Sequence, residues 1–456
     1  MDLGVLSVVS IFQENPLRNP KIAIIGGGIS GLAAAVHLLE HGYRNVTLYE
    51  ARHEAGGRTR SYLDSTTGDI LDNGQHLMMG CYHATLEYLR AIGSSNLVHR
   101  TPLAIAFHEP GKSPARFEIH RRLAPSINLL AGLWSSNLLS RSEKIAAIRL
   151  GLAIKNNRVN ASGSCKEFFE ARKQPSKLIR KLWAPIVLAA INSPLELASA
   201  EVFVNIFREI FLTGHEGSDL LFPSVGLSEL LIDPAIRMLQ AHGICVRFSA
   251  PVREIKYEGD SLRVSGNNQV EVYDSVIFCG QSDDPLPESI SSNLPRVEYS
   301  PIVNAYFWLD RMVLNSPIHA FLGTTLQWAF PKPTAYASHR LALTVSAASE
   351  LTALTNEKIR DMLWSDLQSA VSAARTAKLL HFQIIREKRA TPMLTPQVQQ
   401  HRPGASTSIP GLFLAGDIVQ NGLSATIEGA IRNGVAAAGL VLRSTRAVEM
   451  REIERH

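Results

Sequence analysis

Gly26, Gly28 and Gly31 stand at the spacing G-x-G-x-x-G, and Glu50 follows nineteen residues after the last of them. Each residue type suits one task in holding a dinucleotide. The first glycine permits a tight turn, the second lets a pyrophosphate approach the backbone, and the third lets a helix pack closely on a strand. A helix starting there turns free N–H groups and a positive dipole end toward the phosphates. An acid at the end of the next strand can accept hydrogen bonds from a ribose. A second glycine pair, Gly56 and Gly57, comes six residues after Glu50 and is followed by Arg58. Two glycines let the chain pass under a flat or phosphorylated ligand, and an arginine can pair with pyrophosphate bidentately. Near the other end of the chain, Gly416 and Asp417 follow an apolar run, and Asp417 suits a bond to a ribityl hydroxyl.

These residues need elements to hold them. Residues 22–25 are an apolar strand before the glycine turn, residues 32–39 are strong helix formers ending near Gly42, and residues 46–49 make a second strand. That is one βαβ unit. Residues 411–417 and the stretch beyond repeat the order strand, turn, helix. The span from 422 to 428 is expected to open a long helix whose N-terminus stabilises negative charge on a flavin. Small residues at 429, 434 and 439 predict close packing.

The three elements together resemble the FAD-dependent amine oxidase and phytoene desaturase superfamily. That resemblance implies non-covalent FAD, with Gly26, Gly28, Gly31, Glu50, Gly57, Arg58, Asp417 and Ile427 in the FAD-contact positions. No second G-x-G-x-x-G occurs, which speaks against a built-in nicotinamide site. A closer likeness is carried by residues 71–93, LDNGQHLMMGCYHATLEYLRAIG, with further matching segments at 182–203 and 218–239. These resemble the hydroxysqualene dehydroxylases, the squalene-associated branch of bacterial hopanoid biosynthesis, including the run Asn192, Ser193 and Pro194. The implied reaction is reductive removal of an allylic hydroxyl from hydroxysqualene. A desaturase acting oxidatively on a similar polyene is the alternative, and a non-catalytic lipid-binding flavoprotein is a third reading.

That chemistry needs a dry apolar tunnel, a hydride source and a proton donor beside the hydroxyl. Gln75 and His76 are the candidate polar pair near the flavin, with His76 as acid or hydroxyl-orienting group, and Tyr82 is a second candidate donor. Tyr306, Phe307 and Trp308 are candidates to line the tunnel, although the period of a strand turns at least one of them away.

The fold expected is α/β: a Rossmann-like FAD-binding domain in three discontinuous segments, with an inserted α+β substrate domain. The boundaries are a leader at 1–20, FAD-binding segments 21–90, 222–284 and 405–456, and substrate-binding segments 91–221 and 285–404. A chain of 456 residues with 45% hydrophobic and 19% charged residues can bury a large core. The net charge of +5 fits a nucleic acid, an anionic membrane surface or no charged partner at all, and the lack of an arginine-rich arm favours the membrane over nucleic acid. Residues 124–154 have the mixed composition of a lipid-facing surface, with Arg141, Lys144 and Arg149 for headgroups. The four dispersed cysteines fit buried thiols rather than a metal site. The expected partners are a C30 isoprenoid, an external electron donor and, peripherally, the inner face of the cytoplasmic membrane.

Overall fold

The computed structural model describes residues 19–119, 125–212, 214, 216–266, 269–280 and 285–453. Most of the leader and the tip of the 266–269 hairpin therefore lie outside the described residues. A parallel five-stranded sheet runs in the order Cys245–Arg247, Val46–Tyr49, Ile22–Ile25, Ser275–Phe278, Leu412–Leu414. Its strands read as near-continuous apolar runs because both faces are covered. Helix α1 (Ile29–Glu40) is buried along almost its whole length between this sheet and the long C-terminal helix. A methyl on Gly434 would overlap the Ser30 carbonyl, so that contact is backbone against backbone.

Between the pieces of that sheet the chain builds other layers. Val252–Glu258, Ser261–Gly266 and Gln269–Tyr273 form their own antiparallel sheet beside the parallel one rather than extending it. A seven-stranded sheet has the order Leu379–Pro392, Tyr299–Leu309, His339–Ser346, Trp328–Lys332, His319–Phe321, Ala104–His108, Ala115–Glu118. All its pairings are antiparallel except that of His319–Phe321 with Ala104–His108. Helix α2 (His83–Ala91) packs on the side of the parallel sheet, against α1 and the C-terminal helix. Helices α3 (Pro125–Ser135), α4 (Arg141–Lys155), α5 (Ala184–Ile191) and α6 (Ala200–Leu212) cover the seven-stranded sheet. The last described element is α7 (Ile427–Ile453). This helix begins at the far end of the 422–428 span in which the glycine pattern places its start.

Alternation along Tyr299–Leu309 divides two cores. Val303, Ala305, Phe307 and Leu309 pack with the helix Asn356–Ala370, while Tyr306 and Trp308 join the core under α5 and α6. The four cysteines are unpaired, and Cys245 is exposed instead of buried because its strand is at the sheet edge. Among the described residues no helix is long and apolar enough to cross a membrane.

Candidate functional site

The strand Ile22–Ile25 ends at Gly26, whose φ of +111° makes the turn and whose N–H donates to the Tyr49 carbonyl at 2.8 Å. Gly28 precedes α1 with no side-chain cap, so first-turn N–H groups are left for an anion. A methyl added at Gly28 meets nothing within 4 Å, whereas one at Gly31 would overlap the Gly26 carbonyl oxygen. The second glycine pair lies alongside the first. Gly56 N–H donates to the Gly27 carbonyl at 2.8 Å, and a methyl on Gly57 would stand 3.6 Å from Gly28 Cα. Glu50 is buried, and its carboxylate accepts from Gly27 N–H at 2.9 Å and Arg52 N–H at 2.8 Å. It thus braces the loop, a role its position in the motif did not reveal.

From this cradle a cavity of about 180 Å³ runs inward between Arg58, Asp417, Glu387, Asn192, His76 and Ile427. Arg58, expected on the pyrophosphate, is paired with Asp417 and donates to the Ala390 carbonyl at 2.8 Å. Asp417, expected on a ribityl hydroxyl, is thereby its partner. The Asp417 loop is held from behind by Arg402, which donates to the carbonyls of Asp417, Val419 and Leu423 at 3.1, 2.6 and 3.1 Å. Burial pulls the Arg402 guanidinium down to about 10 against the opposing field of Asp417. Asn433 on α7 donates to the Gly416 and Val419 carbonyls at 2.7 and 3.0 Å. An uncapped helix start, open space at Gly28 and a cavity continuing to the start of α7 fit an extended flavin dinucleotide.

Gln75, His76 and Tyr82 come together at the inner end. Gln75 and Tyr82 line both this cavity and a larger one of about 350 Å³, while His76 faces the first only. Gln75 Nε2 donates to the Tyr306 hydroxyl at 3.3 Å, and that hydroxyl donates to the Asp72 carbonyl at 2.9 Å. Burial lowers the His76 pKa against the opposing charge of Asp72, with Arg58 adding to the lowering, so the ring is neutral near pH 7. A neutral ring offers the cavity one donor and one acceptor nitrogen. Burial raises the Tyr82 pKa, reinforced by Cys81 and Glu428, and Thr426 is its side-chain partner. Tyr82 therefore keeps its proton. Asn192 closes α5 in the left-handed conformation at φ +54°. Its amide donates to the Ser300 carbonyl at 3.1 Å and to Thr391 Oγ1 at 2.9 Å, and accepts from Ala347 N–H at 2.7 Å.

The larger cavity is walled chiefly by apolar residues of α3 to α6 and the turn before α5. Tyr306, Phe307 and Trp308 are not among its lining residues. Tyr306 is spent on Asp72 and Gln75, Trp308 Nε1 donates to Asp69 at 2.6 Å, and Phe307 packs edge-on against Trp364 in the opposite core. Trp183, Phe207 and Phe211 line it instead. The phenylalanines had a legible signal: Phe203, Phe207 and Phe211 recur every four residues, and their tilted rings meet at 6.1 and 5.0 Å along α6. Four charged residues also line this wall, Lys155 on α4 and a cluster of Glu209, Glu428 and Arg432. Arg432 donates to Glu428 at 2.7 Å and bidentately to Glu209 at 3.1 and 3.2 Å, and Glu428 accepts from the first N–H groups of α2. The cluster joins α7, α6 and α2, and so fixes Tyr82 just ahead of α2.

The pattern of the flavin-containing amine oxidoreductase family matches residues 29–442. A hydroxysqualene dehydroxylase of Sinorhizobium fredii is 32% identical over 436 residues, covering 93% of this chain and 99% of that one. A 15-cis-phytoene desaturase of Synechococcus elongatus is 23% identical over 465 residues, covering 92% and 96%. Among solved structures, cyclohexylamine oxidase from Brevibacterium oxydans superposes with a TM-score of 0.71 at 14% identity, over 94% of this chain and 99% of that one.

Proposed function

The chain belongs to the flavin-containing amine oxidoreductases and, within them, to the hydroxysqualene dehydroxylases, and we propose on that premise how its two joined cavities work. The enzyme is an FAD-dependent oxidoreductase that converts hydroxysqualene to squalene. The observation that carries this reading is the likeness to dehydroxylases over nearly the full length of both chains, which exceeds the likeness to desaturases.

In the proposed site, Gly28, Gly57 and the start of α1 hold the pyrophosphate, Glu50 the adenosine end, and Arg58, Asp417 and Ile427 the flavin half. Reduced FAD supplies the hydride that replaces the hydroxyl. The C–O bond breaks, oxygen leaves with one added proton as water, and a C–H bond forms at the same carbon. The apolar cavity excludes water from the developing allylic cation and holds the hydrocarbon arms. Gln75 and Tyr82, shared by both cavities, are placed to bond the hydroxyl where the two spaces meet. Tyr82 is the group we assign to deliver the proton. Its raised pKa is no obstacle, because a departing hydroxide is a stronger base than a phenolate (water's pKa is roughly 15.7). Neutral His76 orients the flavin side. A separate two-electron donor must restore the reduced state after each turnover.

The test is anaerobic turnover of photoreduced enzyme with hydroxysqualene in deuterated water. Squalene carrying deuterium at the carbon that lost oxygen is expected. Unlabelled squalene, or oxidised enzyme that adds double bonds to phytoene, would overturn the assignment.

A further inference from the structure

The larger cavity reaches the surface beside α4. Leu152 and Lys155 both line it and are exposed, which places its mouth at the C-terminal end of that helix. The outer face that leads along α3 and α4 to the mouth is apolar in a way water does not favour. Trp134 on α3 is 54% exposed, and Ile145 and Leu152 on α4 are 42% and 47% exposed.

The same helix face carries positive charge. Arg141, Ile145, Arg149 and Leu152 follow one another by four, four and three residues, so they form a single outward stripe of alternating guanidinium and aliphatic groups. Among the described residues neither Arg141 nor Arg149 has an ion-pair partner. Glu143, the sole acid of α4, is turned inward as a capping-box residue bonded to Ser140. Lys144 departs from the headgroup role expected of it. It is buried, donates to the Trp134 carbonyl at 2.6 Å, and lies 5.9 Å from the Trp134 ring. It fastens α3 to α4 and holds the tryptophan beside the first turn of α4.

We propose that this outer face of α3 and α4, formed by Trp134, Arg141, Ile145, Arg149 and Leu152 and ending at the mouth, docks on an anionic phospholipid bilayer, so that substrate enters and product leaves through the mouth without crossing water. The inference rests on the hydrocarbon substrate assigned above. A C30 chain partitions into lipid, and a mouth opening onto water would expose it at each transfer. Exposed aliphatic and tryptophan side chains suit the headgroup boundary, and arginines beside them suit anionic headgroups. A second copy of this chain fits the face poorly, because a two-fold contact along α4 would bring unpaired arginines against one another.

The experiment uses FAD-loaded full-length protein and sedimentation with vesicles of phosphatidylcholine, with and without phosphatidylglycerol. Binding is expected to require phosphatidylglycerol and to weaken with salt. Arg141→Ser with Arg149→Ser should weaken it roughly 10- to 30-fold, since each basic residue near such a surface contributes about fivefold. Turnover of hydroxysqualene in detergent micelles should be unchanged in that double variant. Wild-type protein that stays in the supernatant, or a double variant that sediments as well as wild type, overturns the proposal. So does an equilibrium dimer abolished by Ile145→Ser, which would give the face to a second copy. Vesicle binding without turnover in detergent would instead strike the reaction assignment, so the two failures are distinct.

Discussion

Gly28→Ala should leave the apoprotein at least as stable as wild type and still weaken FAD binding about 5- to 150-fold. Gly28 has φ −70° and ψ 174°, an extended conformation open to any L residue, and an added methyl meets nothing within 4 Å. Replacing glycine at a compatible position restricts the unfolded chain and stabilises by about 0.4–1 kcal/mol. The open space is the approach assigned to the pyrophosphate. A methyl intruding there costs about 1–3 kcal/mol, the usual scale of overpacking. At roughly 1.4 kcal/mol per tenfold, this converts to the stated loss of affinity. Gly31→Ala supplies the contrast. Its methyl would overlap the Gly26 carbonyl and lie 3.3 Å from Ile24 Cγ2, so α1 must move off the sheet and the apoprotein itself should lose stability. The assay is thermal unfolding of both apo variants beside titration with FAD followed by flavin fluorescence. Wild-type FAD affinity in Gly28→Ala, or an apoprotein destabilised as much as Gly31→Ala, would refute the reasoning.

Glu50→Gln should weaken FAD binding roughly 10- to 100-fold, the scale of a hydrogen bond to a charged group. Equilibrium dialysis reads it, and unchanged affinity would mean the adenosine lies elsewhere. Tyr82→Phe should lower the single-turnover rate roughly 100-fold or more while FAD affinity stays near wild type, as loss of a proton donor predicts; a normal rate would remove the tyrosine from the chemistry. Stability should also fall with acid. Burial and its neighbour His108 lower the His319 pKa to about 3, so between that value and the unfolded pKa of about 6.5 the unfolded chain binds the extra proton. The stability held above pH 6.5 declines as pH falls, by about 2 kcal/mol at pH 5 from this group alone. Urea midpoints at the two pH values should differ less in His319→Gln, and an unchanged slope would show that the histidine is not the cause.

Some of the site was legible because it depends on local geometry. Gly26, Gly28 and Gly31 stand between an apolar strand and a helix former, and each constraint acts within a few residues of the backbone. The resemblance of residues 71–93 likewise pointed to a branch of the family that nearly full-length similarity now supports. What was missed depends on partners far away in sequence. Arg58 and Asp417 were assigned separate ligand contacts, yet they pair across 359 positions. Nothing near Lys144 says that its ammonium turns inward to the Trp134 carbonyl, because its neighbours alternate between core and surface.

The sequence by itself determined the nucleotide loop, the apolar strands around it and the family, since glycine spacing and hydrophobic period constrain the backbone directly. Only the tertiary structure decided which side chains meet. Burial makes the ring of His76 neutral, and the pleat of Tyr299–Leu309 sends Phe307 to one core and Tyr306 to the other. The larger cavity is walled by helices and strands together, because the free energy of a charge or a ring depends on every group packed around it, and that packing is assembled from distant parts of the chain.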